Sequence, residues 1–294
     1  LATVSPDSDV SGVAVVIVAH DSGPLLVQCV SHVLADAACR ELCVVDNASG
    51  DGSIAAVVAL DDARIRMVSM GRNAGFAVAC NRGAASTTSP WLLFLNPDAL
   101  VEPDTLSRLR AIAAADVGIG LLGADVRDAQ GGRESAARRR DPTLARLVAA
   151  HVSRWPGMRR WTAFGLELPY RDEPLSTVDA TSGALMLLPR ALFARIGGFD
   201  EDYFLHAEDL DLCRRVRDAG ARVVVANQVP VVHVQGTSSR HRPYFVIWHK
   251  HRSLWRYLTK HDGLRAWTPR GLAAILLLSA RALLQSLQSL LRPR

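Results

Sequence analysis

The residues whose types and spacing can do chemistry lie first between 71 and 98. They are Gly71-Arg72-Asn73-Ala74-Gly75-Phe76-Ala77-Val78-Ala79-Cys80-Asn81-Arg82-Gly83, then Trp91-Leu92-Leu93-Phe94-Leu95-Asn96-Pro97-Asp98. A small-residue loop feeding a helix, followed by an apolar strand that ends in one carboxylate, is how an α/β domain cradles a nucleotide-linked phosphate and neutralises it with a metal. Asp98 offers hard oxygen ligation suited to Mg²⁺ or Mn²⁺, against the plainer role of an acid at a helix start. The glycines at 71, 75 and 83 allow close backbone approach. They do not form G-x-G-x-x-G, and they follow the third predicted strand instead of the first, which argues against a dinucleotide oxidoreductase.

Four further positions carry chemistry with a plain alternative beside each. Asp46 ends a predicted strand, where its carboxylate can accept a hydrogen bond from a base or ribose or can cap the next turn. His233 stands among valines, as a ligand or as a satisfied core residue. Glu208-Asp209 opens a helix, where an acid caps free amides or, in a cleft, takes a proton from an attacking hydroxyl; Asp209 is the better candidate base. Arg138, Arg139 and Arg140 contact an anionic acceptor or form a solvated face.

The elements that must position these groups alternate along the chain. The continuous β-branched run Val13 to Ala19 reads as a strand covered on both faces, and Leu42 to Asp46, Ile65 to Ser69, Trp91 to Leu95 and Gly118 to Val126 read as further strands. Helical stretches separate them, from Leu25 to Ala37 and after the Asp46-Asn47-Ala48-Ser49-Gly50-Asp51-Gly52-Ser53 turn. This alternation predicts a mainly parallel sheet with ligands at the carboxyl ends of its strands. Residues 128 to 142 read as a polar, basic loop. A second half follows, with a strand from Ser182 to Pro189, a short helix from Arg190 to Ile196, a helix from Glu208 to Gly220 and a strand from Arg222 to Ala226.

With 294 residues the chain can bury one large domain plus an appendage, and its net charge of +5 suits anionic partners such as sugar nucleotides, lipid diphosphates or acidic membranes. No nucleic-acid-binding signature accompanies that charge. Five scattered cysteines without a C-x-x-C pair indicate neither a disulfide framework nor a zinc knuckle, and favour a reducing, cytoplasmic setting. No secretory signal is legible, because the first apolar run is too short and lacks a basic segment before it.

Seven blocks occur in order: V-V-I-V-A-H-D-S, V-V-D-N-A-S-x-D-G-S, N-x-G-F-A-x-x-x-N-x-G, F-L-N-P-D-A, S-G-A-L-M-L-L-P-R, G-G-F-D-E-D-Y-F and E-D-L-D-L-C-R-R. Together they resemble the inverting family 2 glycosyltransferases with a GT-A fold, a Rossmann-like mainly parallel sheet flanked by helices. Among these the likeness is greatest to bacterial rhamnosyltransferases acting on polyprenyl-diphosphate-linked sugars. The resemblance implies a flexible tail over 1–12 and a transferase domain over 13–242, with a nucleotide-binding half at 13–126 and an acceptor half at 127–242. A basic helical extension then occupies 243–294.

Residue by residue, the resemblance implies nucleotide binding by Ala19, His20, Asp46, Arg72, Asn73, Gly75, Phe76 and Asn81. Asn96-Pro97-Asp98 takes the place of the family's D-x-D, so Asp98 holds Mg²⁺ or Mn²⁺, Asn96 is a weak ligand beside the nucleotide, and His233 completes the metal site. Asp209 is the implied base, Gly183 and Ala184 the acceptor floor, with Glu208 beside them. His241 and Arg242 can close over the departing diphosphate. His20-Asp21 replaces the Tyr-Asn of many relatives, and the Q-x-x-R-W of processive members is absent, which favours a single transfer. The implied donor is a nucleotide sugar, dTDP-rhamnose first, and the acceptor a glycan or polyprenyl-diphosphate-linked sugar. A different UDP- or GDP-sugar donor, or a non-catalytic module that keeps the nucleotide cleft, are the alternatives.

In the tail, Leu272, Ile275, Leu276, Leu283, Leu287, Leu290 and Leu291 recur at helical spacing opposite Arg281, Gln285 and Gln288. Flanking arginines and Trp255 and Trp267 suit a helix lying in the headgroup layer at the inner face of the cell membrane, and packing on the core or a second subunit is the alternative.

Overall fold

The computed structural model describes residues 12–153, 157–158, 162, 164–234 and 243–291, so the expectations for 1–11, His241 and Arg242 lie outside the described residues. Strand β1 (Val13–Ala19) shows why its sequence is apolar throughout. Val13, Val15 and Ile17 enter one buried cluster and Ala14, Val16 and Val18 another, one on each face of the sheet. Then follow α1 (Leu25–Ala35), β2 (Cys39–Asp46), α2 (Ser53–Val58), β3 (Ile65–Ser69), α3 (Phe76–Ala85) and β4 (Trp91–Leu95). β1 pairs in parallel with β2 and β4, and β2 with β3. Ala19 lies opposite Asp46, and Asp46 opposite Ser69, so these strands end on one rim.

The chain continues through β5 (Ala99–Leu100), α4 (Thr105–Ala115), β6 (Ile119–Arg127), α5 (Leu144–Val152), β7 (Leu175–Val178) and β8 (Leu185–Pro189). It ends with α6 (Arg190–Arg195), α7 (Glu208–Asp218), β9 (Arg222–His233), α8 (Pro243–His261) and α9 (Pro269–Leu291). The strand order is β3-β2-β1-β4-β8-β6-β9-β5, with β7 on β9. Here the sheet departs from the mainly parallel pattern: β8 runs antiparallel to both β4 and β6, and β5 and β7 antiparallel to β9. Neighbours of opposite direction need no helical crossover, so the stretch between β6 and β8 is free to carry a long polar loop.

Strand β9 also runs further than its sequence suggests. The register against β6 shifts between Ala124 and Asp125, which pair with Ala226 and Pro230, so Asn227, Gln228 and Val229 bulge out of the ladder. The polar Asn227 looks like a strand end, yet the strand resumes and places His233 opposite Ala99 of β5.

Helices α8 and α9 are packed very differently. Tyr257 of α8 is fully buried, and its hydroxyl bonds Asp141 at 3.0 Å. His261 and Lys260 each reach Asp211 of α7 at 2.7 Å. α9 touches the body mainly through Ala274 and Leu278, which join Leu147, Leu258 and Leu264 in a small cluster. Leu276, Leu283, Leu290 and Leu291 of α9 are each more than 60 % exposed. By length and composition alone α9 is able to cross a membrane.

Candidate active site

Asp98 follows the end of β4, and the β5–β9 pairing brings His233 against it. His233 Nε2 lies 3.1 Å from Asp98 Oδ1, and Val234 N donates to the Asp98 carbonyl at 3.0 Å. On the other side of the ring, Nδ1 is 2.9 Å from Glu134 Oε1, and Asn96 Nδ2 approaches Nε2 at 3.2 Å. Burial pulls His233 down, but hydrogen bonds to Asp98 and Glu134 outweigh it and raise the imidazole to about 9. Near neutral pH the ring is therefore a cation donating to two carboxylates. Glu134 is held for this by its own N–H, which bonds the Val126 carbonyl at 2.9 Å. It sits in the polar 128–142 loop, and nothing in its sequence neighbourhood marked it.

Asp209 lies in the first turn of α7. Arg139 Nη2 lies 2.5 Å from its Oδ2, and Gly183 N donates to the same oxygen at 3.2 Å. A Cβ on Gly183 would come within 3.3 Å of Asp209 Cβ, a tight contact that would press on the Asp209 side chain. Gly183 is followed by Ala184, whose carbonyl accepts from Asn96 N at 3.0 Å. Two backbone links thus connect Asp209 to the strand end that carries Asp98. Beside it Glu208 is 8 % exposed with Oε2 buried and without a partner, and burial first, then the Asp209 charge, push its carboxyl up to about 8.

The segment entering α7 is strained. His206 and Ala207 both lie in the left-handed region, at φ 66° and 65°, which costs on the order of 1 kcal/mol for each non-glycine residue. Contacts on both sides hold it: Phe204 O accepts from Phe76 N at 3.0 Å, and Ser253 Oγ of α8 donates to Leu205 O at 2.9 Å. The His206 ring is buried there, and burial followed by the Lys250 charge lowers it to about 4, so it is neutral beside the two acids.

Along the rim of β1–β3, Asn47 is the organiser. Its Nδ2 donates to Asn73 Oδ1 at 3.0 Å and its Oδ1 accepts from Ala74 N at 2.8 Å, which shapes the loop before α3. Gly75, at φ 91°, has Phe204 O 2.8 Å from where a Cβ would stand.

The family model described as "Glycosyltransferase like family 2" matches residues 11–257. The chain is a family 2 glycosyltransferase. It is 31% identical over 285 residues to the N-acetylglucosaminyl-diphospho-decaprenol L-rhamnosyltransferase of Mycobacterium tuberculosis, covering 89% of this chain and 90% of the relative. It is 30% identical over 175 residues to rhamnosyltransferase WbbL of Escherichia coli K12, covering 58% of this chain and 62% of that one. The fold is GT-A, as in the mannosyltransferase PcManGT of Pyrobaculum calidifontis solved with GDP-Man and Mn²⁺. That structure has a TM-score of 0.59 at 20% identity, covering 95% of this chain and 73% of the other.

In this glycosyltransferase the expected site residues fall into three groups. Asp98, Asn96 and His233 meet directly, and Gly183 touches Asp209. Ala19, His20, Asp46, Arg72, Asn73, Gly75 and Phe76 lie at the strand ends and loop of the β1–β3 side. There, Asp46 Oδ1 accepts from Ser49 N at 2.8 Å as a turn cap, Arg72 is exposed, and His20 Nδ1 is buried without a partner. Three further expected residues make contacts within the protein. The Asn81 amide is committed to the turn before α7, donating to Phe199 O and accepting from Phe199 N, both at 2.9 Å. The Ala184 side chain is buried against Val126 and Ala137. Of the three arginines, only Arg139 reaches the base: Arg138 is buried on Asp125 and Asn227, and Arg140 bonds the carbonyls of Gly165 and Glu167.

Proposed function

We propose that this glycosyltransferase moves a single sugar, L-rhamnose from dTDP-rhamnose, onto a hydroxyl of a sugar carried on a polyprenyl diphosphate, with inversion, at the cytoplasmic face of the membrane. The observation that carries the reading is the placement of Asp209, with its arginine and backbone donors, two backbone links from the Asn96–Asp98 strand end where His233 lies at 3.1 Å. The relatives named as rhamnosyltransferases support the sugar and the lipid-linked acceptor, and the exposed apolar face of α9 supports membrane contact.

Asp98 and His233 would fit a divalent cation as one carboxylate oxygen and, once His233 gives up its Nε2 proton, one imidazole nitrogen, with Glu134 fixing the ring through its other nitrogen. No group of three or more His, Cys, Asp or Glu among the described residues is arranged to hold a metal, so the remaining positions fall to diphosphate oxygens and water. Such an ion, Mg²⁺ or Mn²⁺, supplies charge neutralisation for the departing nucleoside diphosphate. The protein's own groups do the rest. Asp209 takes the proton of the acceptor hydroxyl as that oxygen attacks the anomeric carbon, and one attack gives inversion. Arg139 and Gly183 N–H fix the carboxylate's direction. Asn47, Asn73 and Gly75 shape the loop that receives the nucleotide.

Incubating the purified chain with a lipid-diphosphate-linked acceptor and dTDP-, UDP- and GDP-sugars, with and without Mn²⁺, tests this. Mass spectrometry is expected to show one added deoxyhexose with dTDP-rhamnose only, and NMR the inverted anomer. Transfer from a UDP- or GDP-sugar alone, or retention, overturns the donor or the mechanism.

A further inference from the structure

A cavity of about 330 Å³ lies between the 202–204 segment and one face of α8, lined by Asp202, Phe204, His249, Arg252, Trp255 and Arg256. Phe204 separates it from the nucleotide side: its carbonyl meets Phe76 N at 3.0 Å, while its ring turns to α8 and lies 4.5 Å from the His249 ring. The two arginines differ. Arg256 is taken by Asp200 and Asp202. Arg252 is exposed and makes no ion pair or hydrogen bond among the described residues. At the same time Trp255 lines the cavity and packs into the cluster that joins α8 to α9. Trp255 thus stands between the cavity and α9, the helix whose leucines are most exposed.

A guanidinium without a carboxylate, an aromatic wall and an apolar helix alongside suit a group that is anionic at one end and greasy at the other. We propose that this cavity binds the diphosphate of the lipid-linked acceptor, with Arg252 as the phosphate-contacting residue and the lipid leaving along α9. The inference rests on the acceptor reading above. The same loop runs five residues on to Asp209, so an acceptor anchored here by its diphosphate presents its sugar towards the base.

Calorimetry on the full chain and on Arg252→Ala and Arg252→Lys tests it with three probes: farnesyl diphosphate, inorganic pyrophosphate and a nucleoside diphosphate with Mn²⁺. Farnesyl diphosphate is expected to bind more tightly than pyrophosphate. It should weaken about ten-fold in Arg252→Ala and less in Arg252→Lys, as loss of a charge-assisted contact predicts, with the nucleoside diphosphate unchanged. Unchanged farnesyl diphosphate binding in Arg252→Ala overturns the site. An equal fall for the nucleoside diphosphate gives the arginine to the donor, and equal affinity for pyrophosphate makes the cavity a free-phosphate site; either overturns the proposal. Transfer activity separates the two readings. A wild-type chain that transfers nothing to a lipid-linked sugar, yet loses farnesyl diphosphate with Arg252, sinks the reaction and leaves the cavity; normal acceptor KM in Arg252→Ala sinks the cavity and leaves the reaction.

Discussion

At the Asp98 end of the cleft an imidazole lies between two carboxylates, at 3.1 and 2.9 Å. At the Asp209 end a carboxylate lies between an arginine and a backbone N–H, with a second carboxyl buried beside it. The first end holds two carboxylates that share a single ring between them, the arrangement on which the proposed cation site rests. The second has its charge already met by fixed donors, which hold the direction of the proposed base. The difference teaches that acids of the same type acquire different electrostatic settings from their partners.

The strongest way to break this contrast is Asp209→Asn. Turnover is expected to fall about 10³-fold with little change in melting temperature, since amide and carboxylate share a shape; an enzyme keeping a tenth of its rate shows that the base lies elsewhere. Asp98→Asn follows, with Mn²⁺-dependent affinity for a nucleoside diphosphate reduced on the order of 10²-fold and metal-free affinity unchanged in the same titration. Equal loss with and without the ion places Asp98 on the nucleotide instead.

Glu134→Gln sharpens the comparison further. It keeps a hydrogen-bond acceptor for His233 but removes the charge, and Mn²⁺ affinity is expected to drop about ten-fold, read by the spin resonance of free Mn²⁺. The smallest effect is on stability. Glu208 holds its proton up to about 8 in the folded chain but loses it near about 4.3 when unfolded. Between those values the folded state binds the extra proton, so wild-type stability falls as pH rises through the window, while Glu208→Gln is indifferent. Denaturant titrations at pH 5 and pH 8 should show the Gln variant gaining at least about 1 kcal/mol on the wild type between them. A constant difference means that Glu208 is ionised throughout.

Much of the nucleotide side was legible from local pattern. The third and fourth strands occur at the residues that the sequence marks, Ile65–Ser69 and Trp91–Leu95; only the fourth is apolar throughout, as a strand covered on both faces must be, and it is buried from Leu92 to Leu95. Asp98 at a strand end and Glu208-Asp209 at a helix start are likewise short-range features. The parallel expectation failed at β8, where nothing in five apolar residues encodes direction. Asn81 illustrates another limit: an amide in a glycine-rich loop looks the same in sequence whether it meets a ligand or, as here, the turn at Phe199.

The order of residues by itself determined the strand and helix succession, the turn chemistry around the nucleotide loop and the two acids at element ends, since each depends on neighbours a few positions away. Tertiary structure alone decided which distant groups those acids meet. His233 reaches Asp98 only because a three-residue bulge lets β9 resume and pair with β5. Glu134, 99 positions from His233, and Arg139, 70 from Asp209, arrive on a loop that antiparallel pairing leaves free of a crossover. Charge partners at such separations are set by sheet register and burial, and no local spacing records them.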